Sequence, residues 1–188
     1  KNLALASAGI ALAPSLESFA AAKKDWFDIS LAEWSLHKSL FKGDLNNLDF
    51  PVLAAKKYGI YGVEYVNQFF KDKANDNNYL TELNMRAKDN GVRNVLIMID
   101  GEGNLGDEDE TKRKQAVQNH YKWISAANFL GCHAIRVNAA GKGTPEEVSK
   151  RVVESLTTLS DIGKKAGISI IVENHGGISS HGDWLANT

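Results

Sequence analysis

The sequence predicts an α/β protein whose sheet is entirely parallel, and three observations support this fold class. Short apolar runs alternate with longer segments of helical periodicity, as in successive βα units. Gly59, Gly91, Gly131 and Gly167 each end a predicted helix and lead into a predicted strand, at intervals of 32, 40 and 36 residues. No Asn-Gly type of turn joins two alternating runs, so no hairpin is expected.

Five strands are predicted, and each is rich in apolar residues. The first is followed by a polar loop that contains His37 and Gly43. The last is a β-branched run typical of a parallel strand buried on both faces. In chain order, the predicted strands are residues 28–36, 62–66, 94–100, 134–138 and 168–172.

The predicted helices carry recognisable start signals. Asp49 is expected to cap a short helix that has Pro51 in its first turn and ends at Tyr58. A second helix covers residues 79–90, and a long third helix follows the acidic loop at residues 101–110. Thr144-Pro-Glu-Glu147 predicts a capping box at the start of the fourth helix. A further helix can begin at Gly182.

Polar side chains at several strand ends favour a barrel over an open sheet. The Gly-x-Gly-x-x-Gly turn expected of a dinucleotide-binding sheet is absent after strand one. In a barrel all strand ends meet at one mouth, where the active site lies. A barrel takes about 250 residues, so the sequence predicts a parallel (βα)8 TIM barrel of which about the first five βα units are present. The polar strand-end residues are His37, Glu64, Asp100, Asn138 and Glu173.

Composition limits the function classes. The 188 residues carry 22 basic and 23 acidic side chains, with a net charge of -1, and 43% of them are hydrophobic. No basic excess indicates binding to nucleic acid or to an anionic membrane. The single Cys132 excludes an intramolecular disulfide.

The N-terminal segment predicts export. Residues 1–13 are mostly small and apolar but too short to span a bilayer, Pro14 interrupts them, and residues 19–22 give an Ala-x-Ala pattern before Lys23. We interpret residues 1–22 as the remnant of an export signal cleaved near Ala22, although an amphipathic arm is the alternative. Residues 23–188 then form the barrel domain, and the expected location is periplasmic or otherwise exported.

The candidate site centres on Glu173, which follows the β-branched run of strand five. Strand periodicity places Glu173 on the same face as Ile171 and Ser169. It is a candidate metal ligand, yet one carboxylate does not make a metal site, and four convincing ligands cannot be assembled from this sequence. Arg136 either holds an anionic group or pairs with Glu64. For every strand-end carboxylate the structural alternative is a helix cap or a loop hydrogen bond.

Three segments, residues 100–107, 128–138 and 171–177, resemble the sugar phosphate isomerase/epimerase family of xylose isomerase-like TIM barrels. The resemblance implies that Glu173 is a metal ligand and a catalytic base. The family's remaining ligands, an Asp, a His and a second Glu on strands six to eight, have no counterparts here. The expected cofactor is a divalent ion, with Mn, Mg, Co and Zn not distinguished. The expected substrate-binding residues are Trp34, His37, Glu64, Asp100, Asn138 and His175.

The implied reaction is proton transfer next to the carbonyl of a sugar or polyol, through an enediolate. A keto-sugar or inosose lyase or dehydratase shares that intermediate, and a non-catalytic sugar-binding barrel would need the same concave mouth. An endonuclease of the endonuclease IV type fits poorly, because the acidic loop at residues 101–110 would repel phosphate. The expected partner is therefore a small sugar or polyol, not a nucleic acid, and homo-oligomerisation is left open.

Overall fold

A computed structural model describes residues 27–188, which form one five-stranded parallel sheet with the order β1-β2-β3-β4-β5. Each strand pairs with its neighbour in sequence, as in the first five units of a (βα)8 barrel, which confirms the predicted fold class. The strands are β1 Leu31–Ala32, β2 Gly62–Val66, β3 Arg93–Met98, β4 Ala134–Val137 and β5 Ser169–Val172. The helices are α1 His37–Lys42, α2 Phe50–Leu53, α3 Asn77–Asp89, α4 Glu110–Leu130, α5 Pro145–Ala166 and α6 Gly182–Asn187.

The two faces of the sheet have different environments because side chains alternate along each strand. One face packs against the helices and forms the main core, with Tyr65, Ile97 and Ile135 fully buried. The other face carries a smaller apolar cluster of Val66, Leu96, Met98 and Ala134. This second face corresponds to the interior of a barrel, and the candidate site lies beside it.

Strand one is much shorter than predicted. The sequence analysis extended it over residues 28–36, but β1 comprises only Leu31–Ala32, and Glu33–Leu36 forms a 3₁₀ turn. The physical reason is that a side chain takes the place of a backbone hydrogen bond between strands: the Val66 N–H donates to Oε2 of Glu33 at 2.8 Å. The predicted polar loop after strand one is also wrong, because residues from His37 form α1, which ends at Gly43.

Most predicted helix termini are confirmed. Thr144 and Glu147 form the capping box at the start of α5, and Gly131 and Gly167 adopt the left-handed conformation that ends α4 and α5. Asp49 is the exception. It does not cap a helix but pairs with Arg86, and the preceding 3₁₀ turn is capped by the Asn46 side chain.

The loops after β3 and β4 are fastened to each other and to α5. Gly106 and Gly141 form an isolated parallel bridge, and a Cβ added to Gly141 would lie 2.3 Å from the Gly106 carbonyl oxygen. Arg151 Nε donates to the same carbonyl at 2.9 Å, and Ser155 Oγ donates to the Leu105 carbonyl at 2.7 Å. These contacts fix the loops that surround the ends of β3 and β4.

The predicted export signal at residues 1–22 lies outside the described residues. Within residues 27–188, no helix combines the length and the apolar character needed to cross a lipid bilayer.

The open edges of the described sheet lead to a first prediction. Both β1 and β5 have one side without a partner strand, and unpaired strand edges promote association between chains. We expect residues 23–188, produced alone, to self-associate in a concentration-dependent way in sedimentation velocity experiments. A monomer at all concentrations with a sharp, reversible two-state thermal transition would contradict this expectation.

Candidate functional site

Arg136 is the centre of a polar cluster at the carboxyl ends of β3, β4 and β5. Its side chain is 6% exposed. Nη1 donates to Asn138 Oδ1 at 2.8 Å and to Asp100 Oδ1 at 3.1 Å. Asn138 Nδ2 also donates to Asp100 Oδ1, at 2.8 Å. On the other side, Arg136 Nε lies 3.0 Å from Glu173 Oε2. Three of the predicted site residues, Asp100, Asn138 and Glu173, are therefore brought together by one guanidinium.

The strand register explains this arrangement. Met98, Arg136 and Ile171 are aligned across β3, β4 and β5. Asp100 and Glu173 each lie two residues beyond these aligned positions, on the same face and on opposite sides of β4. A long side chain from Arg136 can therefore reach both carboxylates diagonally.

The suggested pairing of Arg136 with Glu64 is wrong for the same reason. Glu64 is aligned with Leu96, which belongs to the layer of side chains one step closer to the amino ends of the strands. Glu64 instead accepts a hydrogen bond from Ser30 Oγ at 2.5 Å. It still lines the same pocket as Arg136 and Glu173.

That pocket has a volume of about 540 Å³ and lies against the inner face of β3, β4 and β5. Glu173 is its most exposed charged component, with 49% of its side chain accessible. Leu96, Met98 and Ile171 form the apolar floor, and Leu185 of α6 contributes to the wall. An apolar floor with a few convergent polar groups is the usual character of a small-molecule site.

Asn67 is a buried residue that supports the site and that the sequence analysis did not single out. It is 1% exposed, and its amide makes two hydrogen bonds to the backbone of Asp100, accepting from N–H and donating to C=O, both at 2.9 Å. These bonds fix the end of β3 to the end of β2 and hold the Asp100 carboxylate toward Arg136. The available signal was its position directly after β2, where a polar residue ends an apolar strand.

Trp34 and His37 belong to a separate aromatic cluster at the ends of β1 and β2. Their rings stack with centroids 4.7 Å apart and planes 11° apart. Phe41 and Phe69 contact this pair, and Phe69 also packs against the inner-face apolar cluster. Trp34 is 42% exposed, so the site has an aromatic side at β1 and β2 and a charged side at β3 to β5.

His175 is not brought into either group. Its backbone N–H donates to the Glu173 carbonyl at 2.9 Å, while its side chain is exposed and makes no hydrogen bond within residues 27–188. The predicted role of His175 in substrate binding therefore stays a prediction.

Glu33 is a buried acid that sequence reasoning missed. It is fully inaccessible, Oε2 accepts the Val66 N–H, and Oε1 has no hydrogen-bond partner within the described residues. Burial raises the pKa of Glu33 well above its ordinary value, although the bond from Val66 opposes the shift. Burial therefore favours the neutral form of Glu33, and its bond to Val66 joins the turn that carries Trp34 to the end of β2.

The donor set within residues 27–188 does not by itself fit a divalent metal. No group of three or more His, Cys, Asp or Glu side chains in this part of the chain could hold an ion. Asp100 is occupied by Arg136 and Asn138, and Arg136 also faces the one available carboxylate, Glu173. A metal site would require ligands in addition to these.

A parallel βα barrel segment with its polar groups at the carboxyl ends of the strands defines a barrel with a binding site at its mouth. The family model described as xylose isomerase-like TIM barrel matches residues 52–186. The chain belongs to this family.

Solved structures agree with that assignment at the level of the fold. A D-psicose 3-epimerase studied with D-fructose matches with a TM-score of 0.61 and 17% identity, over 77% of this chain and 51% of that one. The IOLI protein with a bound zinc atom matches with a TM-score of 0.61 and 17% identity, over 78% of this chain and 51% of that one. A sugar phosphate isomerase/epimerase from Parabacteroides distasonis matches with a TM-score of 0.60 and 17% identity, over 94% of this chain and 66% of that one.

This chain spans about half the length of the first two of these proteins. No curated protein sequence matches the chain significantly.

The burial of Glu33 predicts a pH dependence of stability. The unfolded chain ionises Glu33 above about pH 4.5, whereas the folded chain keeps it neutral to a much higher pH. Its contribution to stability is therefore complete at low pH and declines as pH rises above that value, with a limiting slope of about 1.4 kcal/mol per pH unit.

In Glu33→Gln this decline should be reduced, measured as the free energy of urea unfolding between pH 5 and pH 8. The matched control is Glu108→Gln at an exposed position, which should keep the parent slope. Equal slopes for Glu33→Gln and the parent protein would show that Glu33 is not held neutral.

Proposed function

We propose that this chain forms part of a metal-dependent isomerase or epimerase that acts on a sugar or polyol. The observation that carries the proposal is the half-exposed Glu173 carboxylate, held by buried Arg136 at the edge of a pocket with an apolar floor. Membership of the xylose isomerase-like family supports the fold, and solved neighbours that are named as sugar epimerases support the reaction class.

Glu173 is the group that moves the proton in this proposal. Its carboxylate accepts the proton from the carbon next to a carbonyl. The electron pair of that C–H bond then forms the carbon–carbon double bond of the enediolate, and negative charge develops on the carbonyl oxygen. Return of the proton to the neighbouring carbon gives the isomer, whereas delivery to the opposite face of the same carbon gives the epimer. A second acid would serve that opposite face, and we expect it outside residues 27–188.

The remaining residues bind and orient the substrate. Asn138 and Asp100 are fixed by Arg136 and can exchange hydrogen bonds with sugar hydroxyls through their remaining positions. The rings of Trp34 and His37 offer a face on which the C–H side of a sugar can pack. The site contains one guanidinium and three carboxylates, those of Glu64, Asp100 and Glu173. Because this excess of negative charge would repel a phosphate ester, it favours a neutral sugar as the substrate.

The proposed cofactor is a divalent ion. Such an ion would polarise the carbonyl and stabilise charge on the enediolate. Glu173 would supply one ligand, and the other ligands would have to come from outside residues 27–188. Export to a periplasm, proposed from residues 1–22, is consistent with a free sugar or polyol as substrate.

Replacement of Glu173 by Gln tests the proposal, because it removes the base while keeping the shape of the side chain. In the whole protein that contains this chain, turnover of a panel of free ketoses with added divalent metal should fall by roughly 10²- to 10⁴-fold. The matched control is Glu146→Gln in the exposed first turn of α5, which should retain parent activity.

Parent turnover in Glu173→Gln would refute the proposed role of Glu173. Sugar binding without turnover in the parent protein would instead favour a non-catalytic sugar-binding barrel. A product lighter by one water would indicate the related dehydratase reaction.

A further inference from the structure

Glu173 has a single ionic partner in the described part of the chain, and that partner is rigid. Arg136 is buried, and its Nη1 is already held by Asp100 and Asn138 at 3.1 and 2.8 Å. The side-chain amide of Asn67 in turn holds Asp100 through two hydrogen bonds to the Asp100 backbone. The guanidinium is therefore fixed from the side opposite Glu173.

The two oxygens of Glu173 have different surroundings. Oε2 lies 3.0 Å from Arg136 Nε, although the N–H is not directed at it as a hydrogen bond. Oε1 has no hydrogen-bond partner within residues 27–188. A half-exposed glutamate without a fixed partner would sample several rotamers, and ordering it would cost free energy on substrate binding.

We propose that Arg136 is the positioning residue for Glu173: it holds Oε2 against β4 and leaves Oε1 available to the reacting carbon. This inference rests on the proposed role of Glu173 as the base. Only 6% of the Arg136 side chain is exposed, and in this role it acts through the carboxylate that it orients. The diagonal register of β4 and β5 makes the arrangement possible, because Arg136 is aligned with Ile171, two residues before Glu173.

A purely structural role for Arg136 is the competing explanation. In that case the guanidinium would serve only to neutralise Asp100 and to tie β3 to β4, and the state of Glu173 would not depend on it. The two explanations differ in what happens to the Glu173 carboxylate when Arg136 is replaced in a protein that remains folded.

Carbon-13 NMR of the glutamate carboxylates in the whole protein separates the two explanations without any need for activity. The Glu173 signal is assigned by its loss in Glu173→Gln, and all spectra are recorded at one pH. Arg136→Met should shift this signal and leave the other glutamate signals in place. The matched control is Arg113→Met, because Arg113 is another largely buried arginine, and it bonds to the Asp107 carbonyl and pairs with Glu154 instead of Glu173. That control should not move the Glu173 signal.

Kinetics on the whole protein supply the second measurement. Misorientation of the base should lower kcat by about 100-fold with little change in KM. Arg136→Lys should recover part of this loss, because lysine keeps the positive charge but lacks the planar set of N–H donors of a guanidinium. If the parent protein turns over none of the sugars tested, the proposed function fails, whereas the NMR comparison still decides the positioning role.

An unmoved Glu173 signal in folded Arg136→Met would overturn the proposal. If Arg136→Met does not fold, Asn138→Ala replaces it, since this change removes one of the two anchors of Nη1 and retains the guanidinium. A displaced Glu173 signal in Asn138→Ala supports positioning, and an unchanged signal contradicts it.

Discussion

The structure of the candidate site depends on one buried guanidinium that joins three strands. Arg136 contacts Asp100 after the end of β3, Asn138 after the end of its own strand β4, and Glu173 after the end of β5. A buried charge is tolerated only when it is paired and hydrogen-bonded, so buried Arg136 depends on Asp100 and Asn138, which accept its hydrogen bonds. Arg136 thereby fixes the orientation of the polar side chains at the ends of three parallel strands.

The supporting layers explain why this arrangement is rigid. Asn67 fixes the backbone of Asp100 from β2, and the bridge between Gly106 and Gly141 joins the loops after β3 and β4. On the other side of the mouth, buried Glu33 fastens the turn that carries Trp34 to the end of β2. The charged and aromatic sides of the site are thus both anchored to β2.

Sequence patterns were sufficient for the parallel order, the glycine helix ends and the Thr144 capping box, because these depend on local residue types and on period. They failed at strand one, where the Glu33 carboxyl replaces a ladder hydrogen bond from Val66. Periodicity also placed Asp100, Asn138 and Glu173 at the mouth. It could not choose the partner of Arg136, because that choice depends on the register between strands, and no local pattern specifies register.

A double-mutant cycle between Arg136→Met and Asp100→Ala measures the central interaction most directly. Removal of either partner leaves the other largely buried and less well paired, so each single change should be costly while the second change adds little to the first. The account predicts a coupling free energy of at least roughly 1 kcal/mol in urea unfolding. Additive effects, within about 0.5 kcal/mol, would contradict the claim that this guanidinium holds the strand ends together.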